Sequence, residues 1–194
     1  MKLFKDVRWF ALVITFLAIA LRFTPHAHNF AAFGAVGLFA ACFWSGRIAF
    51  LLTIAAMAVS DLLGHFFGVA GMGFYEPSMM LLNYLGLGLG AFAGRLIQSP
   101  RQPRGCPQLI GVPVAAVLST AVFFLVSNFG SWLSPAMGYE RSLGSLLSCY
   151  WLAIPFVKNT LIGNLLFSGA FFALYAYLTA DARQAAPARV RDQG

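Results

Sequence analysis

The sequence predicts an all-α integral membrane protein, a single bundle of six transmembrane helices. Three observations predict it. Of the 194 residues, 60% are apolar and only 10% charged, against about 45–50% and about 25% in a soluble domain. Six apolar runs follow one another along the chain. Lys and Arg collect in alternate connections between them. The 13 basic and 6 acidic side chains are too few to cover a water-exposed globule, which excludes a soluble enzyme. The net charge of +7 does not point to nucleic acid either, because the basic residues lie between apolar runs and not on one soluble face. The cysteines, Cys42, Cys106 and Cys149, are widely spaced and odd in number, which fits neither a disulfide framework nor a zinc site.

A helix crossing the ~30 Å hydrocarbon layer needs roughly 20 mainly apolar residues. The expected spans are about 7–21, 30–44, 48–67, 78–97, 109–127 and 156–179. The first is short, with Arg22 placed to snorkel outward. It does not read as a cleaved signal peptide, since processing there would remove Arg22 and the polar stretch behind it. Ahead of the last span, Leu143 to Ile154 is apolar but too short to cross, and Pro155 closes it; it reads as an interfacial or re-entrant segment. Residues 1–180 form one transmembrane domain. Residues 181–194 are polar without apolar periodicity and read as a disordered cytoplasmic tail. No internal repeat suggests two inverted halves.

Loop charge sets the orientation, because cytoplasmic loops hold the Lys and Arg. With both termini inside, the inner set is Lys2, Lys5, Arg8, Arg47, Arg95, Arg101, Arg104, Arg183, Arg189 and Arg191. The outer set is Arg22 and Arg141, and Lys158 falls within the last span. Helix contact in lipid relies on small residues. The fourth span supplies Gly86, Gly90 and Gly94, with Gly88 between them. The second supplies Ala31, Gly34, Ala35, Gly37 and Ala41. These serve packing within the bundle or an oligomer or partner face.

The outer segments concentrate polar and aromatic groups, the ingredients of a concave binding site. Candidate ligand contacts are Asp61, Asn128, Trp132, Tyr150 and Asn159, followed by His26, His28 and His65. Each has a plainer role beside it. Asp61 either contacts a ligand or pairs with Arg22 or Lys158 to fix the bundle. His26 and His28 offer two imidazoles but no third metal ligand, and no metal is expected. Trp132 and Tyr150 also suit an interfacial aromatic belt. Asn159, Thr160 and Asn164 line a cavity or bond across helices. No serine-nucleophile elbow, zinc-protease pair or phosphate-cradling loop is present. A lipid-acting enzyme would have to use Asp61 with His65, four residues on, and lacks a nucleophile. The expected protein is not an enzyme, carries no cofactor and binds no nucleic acid.

The stretches Thr24-Pro25-His26, Asn29-Phe30, Gly34-Ala35 and Leu38-Phe39 resemble the start of a family of small uncharacterised bacterial membrane proteins. Ser60-Asp61, Asn128-Phe129-Gly130-x-Trp132 and the block Tyr150-x-x-Ala153-Ile154-Pro155-Phe156-x-x-Asn159-Thr160-Leu161-x-Gly163-Asn164 continue the likeness, over roughly residues 22–179. That family resembles the substrate-binding S components of energy-coupling-factor (ECF) vitamin transporters, nearest in character to the cobalamin-specific type. The resemblance implies a six-helix bundle in the bacterial inner membrane, with both termini cytoplasmic and a pocket opening outward. It implies capture of a vitamin-like small molecule and docking with an ECF transmembrane scaffold and ATPase subunits. The alternative is a structural or assembly protein that docks on a partner complex through the Gly-rich fourth helix.

Overall fold

The computed structural model describes residues 6–25, 27, 29–98 and 108–184. Six α-helices follow in order: α1 (Val7–Leu21), α2 (Phe33–Phe43), α3 (Gly46–Phe66), α4 (Pro77–Ala91), α5 (Gly111–Leu133) and α6 (Leu143–Gln184). Short 3-10 turns extend α4 through Phe92–Ile97 and follow α5 at Pro135–Met137. The described residues contain no β-strand. The all-α membrane class therefore stands. Four helices are long and apolar enough to cross a bilayer: Gly46–Phe66, Pro77–Ile97, Gly111–Leu133 and Leu143–Ala180. In each, a third of the apolar window is buried in the bundle. Much of the rest is the lipid-facing surface, with Leu51, Leu81, Leu125 and Leu166 projecting outward. In water such apolar exposure would be an association surface; in a bilayer it is solvated.

The centre of the bundle is α2. Every residue from Phe33 to Cys42 is buried, and the helix packs against all five others. A helix that is apolar all round needs such enclosure. Its 11 residues extend about 16 Å, too little to cross the membrane alone, so the expected span at 30–44 is shorter than its apolar run. Close approach comes from small residues. Gly37 lies against Thr53 and Ala91, and Gly94 lies against the main chain of Leu38. Below, the rings of Phe10, Phe39, Phe43 and Tyr175 form one cluster, with centroids 4.7–5.4 Å apart.

Those contacts also give the chain direction. Phe10 at the start of α1 meets Tyr175 near the end of α6, and Arg22 at the end of α1 meets Asp61 near the end of α3. Successive helices run antiparallel, so the start of α1 and the end of α6 lie at one end of the bundle. Arg8, Arg47 and Arg95 mark that end.

Two expectations change. Leu143 to Ile154 is not a separate segment: α6 runs unbroken through Pro155 for 42 residues. Proline denies the Trp151 carbonyl its helical donor, but neighbouring helices hold such breaks in membrane proteins. Here α5 does so. Tyr150 Oη donates to the Leu125 carbonyl at 2.8 Å, and Cys149 Sγ reaches the Asn128 carbonyl at 3.5 Å. The helix also continues to Gln184, past the expected end of the domain at residue 180; the remaining tail, 185–194, lies outside the described residues.

Glu76 caps α4 from outside the helix, accepting from Ser78 Oγ at 2.6 Å and Met79 N–H at 2.9 Å. These donors, the Ser78 hydroxyl first, pull its carboxyl down from 4.5 to about 2. The cap's contribution is therefore complete above about pH 4.5 and is lost as pH falls toward 2. Glu76→Gln is expected to lower the unfolding midpoint at pH 7 and to converge on the wild type in that acid range. A gap that stays constant from pH 7 to pH 2 would contradict the assigned cap.

Candidate functional site

Because α2 is short, the bundle axis beyond Phe33 is not filled by helix. In its place lies a cavity of about 620 Å³. Asn29, Phe30, Ala31, Phe33 and Gly34 form the floor, at the start of α2. The connection from α3 to α4 covers the cavity with Val69, Ala70, Gly71 and Met72. This turn uses Gly68, Gly71 and Gly73 at positive φ, where a side chain would be strained. The walls are mainly apolar: Met57 of α3, Met79 and Leu87 of α4, Phe123 and Phe124 of α5, and Phe156 and Val157 of α6.

Polar groups enter this lining at several places, among them Asn29 on the floor, Thr160 on α6, and Asn83 of α4, whose Nδ2 donates to the Tyr75 hydroxyl at 2.8 Å. On α5, Ser119, Phe123, Ser127 and Ser131 all line the cavity; four-residue spacing keeps them on one helical face. On α6, Asn164 is 3% exposed and donates through Nδ2 to Thr120 Oγ1 at 2.9 Å. Its side chain packs on Gly34, where a Cβ would strike it. Facing them, Arg22 projects from the end of α1. Arg22 Nη1 contacts Asp61 Oδ1 at 2.7 Å and Ser60 Oγ at 3.1 Å, and the Tyr84 hydroxyl donates to Asp61 Oδ2 at 2.7 Å. Asp61, 1% exposed, is the hidden half of the pair. The cavity side shows Arg22 and no carboxylate.

The sequence candidates are distributed unevenly around this cavity. Asn128 lines it, with Nδ2 donating to the Phe124 carbonyl at 2.8 Å. Asp61 does not reach it, and acts on it by holding Arg22. The partner chosen by Asp61 is Arg22; Lys158 is exposed elsewhere on α6. Trp132 lies outside, its Nε1 donating to the Glu140 carbonyl at 3.1 Å and its ring beneath the Arg141 guanidinium. Arg141 also donates to the carbonyls of Trp132 and Leu133, closing the α5–α6 connection. Tyr150 lies outside as well, joined to α5 at Leu125. Asn159 is half-buried on α6 and is not among the lining residues. His65 is exposed and stacks on Phe74 at 5.1 Å, so Asp61 and His65 do not form an acid–base pair. His26 and His28 lie outside the described residues. Among the described residues no three His, Cys, Asp or Glu side chains converge to hold a metal.

Sequence reading missed Tyr84, Asn83, Ser119 and Ser127. The signal for the serines was present as Ser119, Ser127 and Ser131 on one helical face of an otherwise apolar span, with Phe123 between them. Tyr84 had none, since a tyrosine in a membrane helix reads equally as packing.

Fold and cavity together define an all-α membrane protein with a solute-sized chamber over a buried central helix. Within that class, the chain belongs to the family of unknown function DUF6580, which matches residues 3–188. No curated protein and no solved structure matches it.

Proposed function

We propose that the protein is a membrane-embedded substrate-binding component, of the ECF S-component type, that takes up a small organic micronutrient of the vitamin class. The cavity over α2 carries this reading. Its volume, about 620 Å³, lies within the roughly 300–1,000 Å³ typical of small-molecule sites, and its lining has their usual character, apolar with a few placed polar groups. That volume suits a compact ring system better than a corrinoid, which places cobalamin behind smaller vitamins. The basic residues at the far end favour, by the positive-inside rule, a cytoplasmic side for both termini. On this reading the bundle lies in the bacterial inner membrane, with short α2 enclosed at its centre, and the cavity faces the periplasm. The chain itself acts as a binder, not an enzyme. Energy for release would come from a partner scaffold and ATPases, since the sequence has no phosphate-cradling loop.

The alternative, an assembly protein docking through its fourth helix, could not use the glycines of that helix for the contact. Gly86 packs on Phe123, Gly88 on Phe50, Gly90 on Ser119 and Gly94 on Leu38, all within the bundle.

Ala153 lines the cavity from α6 and is only partly buried, so a larger side chain there fills the chamber without rebuilding the core. In equilibrium dialysis against a panel of radiolabelled vitamins, the wild type is expected to retain one of them near 1:1. Ala153→Trp is expected to weaken that binding by about 100-fold, roughly 2.7 kcal/mol, with the unfolding midpoint little changed. Equal binding by both proteins would place the ligand elsewhere and overturn the assignment.

A further inference from the structure

Resting on that reading of the cavity, we propose that the solute carries a carboxylate, held on the first turn of α2 beneath Arg22. The two ends of this buried helix are treated differently. At its C-terminal end, Gln98 Nε2 donates to the carbonyls of Ala41 and Cys42 at 2.9 and 2.8 Å. At its N-terminal end the cap residue is Ala32, with no side chain to accept a hydrogen bond. The first helical bond there is Val36 N–H to the Ala32 carbonyl. The N–H groups of Phe33, Gly34 and Ala35 have no partner among the described residues, although all three residues are buried. Buried main-chain donors are almost always satisfied, by protein, water or ligand. Here they border a cavity, and the helix dipole adds partial positive charge at the same point.

Two further observations are independent of the helix end. Ser119 and Ser127, 2% and 8% exposed, line the same cavity, and their hydroxyls bond to no described residue. The guanidinium of Arg22 lies over Phe33, with Cζ 5.9 Å from the ring centroid. All its hydrogen bonds to Met57, Ser60 and Asp61 are made by Nη1. Nε and Nη2 form the second edge of the fork, the geometry that receives a carboxylate in two parallel bonds. The lining carries one cation and no carboxylate, and Asp61 already offsets that cation, so it is the free edge of the fork and the α2 N–H groups that suit one carboxylate. A phosphate ester would need a second cation. The apolar and aromatic walls take the rest of the molecule.

The test uses the full chain in lipid nanodiscs and matched acid–amide pairs: nicotinate and nicotinamide, benzoate and benzamide, biotin and its primary amide. Affinities are read from the ligand dependence of the unfolding midpoint at pH 7. At least one acid is expected to bind about tenfold more tightly than its amide. That preference is expected to vanish in Arg22→Gln/Asp61→Asn, which neutralises both partners and leaves no orphaned charge. Should that variant not fold, Arg22→Lys keeps the ion pair while removing the second edge, and is expected to lose the preference too. Amides that bind as tightly as their acids, or an acid preference that survives both variants, would overturn the carboxylate and leave the solute-binding reading standing. No binding of any acid, amide or neutral vitamin by folded protein would overturn both.

Discussion

Asp61→Ala is expected to destabilise the protein by about 3–5 kcal/mol, the usual cost of removing one partner of a buried ion pair. Asp61 is 1% exposed and Arg22 13%, so the loss leaves a guanidinium with little water to solvate it. The Tyr84 hydroxyl, 2.7 Å from Asp61 Oδ2, is stranded by the same change. Arg22→Gln/Asp61→Asn is expected to cost much less than Asp61→Ala alone, because both charges leave together and the amides can still bond. Unfolding of the three proteins in one detergent measures the difference. The single variant is also expected to weaken ligand binding, since Arg22 would no longer be held at the cavity wall. A loss below about 1 kcal/mol, the range of exposed pairs, would contradict the burial described here.

The second large effect concerns packing. A Cβ at Gly94 would collide with the Leu38 carbonyl and lie 2.8 Å from its Cα. The obstacle is main chain of the central helix, which every other helix contacts, so it cannot turn aside as a long side chain would. Gly94→Ala is expected to cost about 1–3 kcal/mol or more, as overpacking does, and to lower the yield of folded protein. Gly169 in α6 is the control, with nothing within 4 Å of its Cβ position. There alanine should be neutral, or stabilising by up to about 1 kcal/mol through helix propensity. Equal effects at the two positions would mean that Gly94 is not held against α2.

How much of this was legible beforehand differs from element to element. The membrane class and the six helices were plain, because composition and apolar run length are strong signals when water is not the solvent. The burial of α2 was less so. Its small residues announced close packing, but an apolar run reads alike whether lipid or protein surrounds it. The length of α6 was hidden by Pro155, which locally signals a break; Tyr150 and Cys149, bonded to α5, supply what the local rule omits. For the site, polarity in an apolar setting identified Asp61 and Asn128 as candidates. Which polar groups share a cavity depends on helix rotation and tertiary contact. Asp61 therefore sits behind Arg22, Trp132 closes a loop instead of facing ligand, and the orphaned N–H groups of α2 have no side chain to advertise them.

Native mass spectrometry of the protein, released intact from membranes and exposed to a vitamin panel, tests the central claim most directly. The account predicts a one-to-one complex with a single compact organic solute that disappears in Ala153→Trp. Folded wild-type protein that stays bare across the whole panel would contradict it.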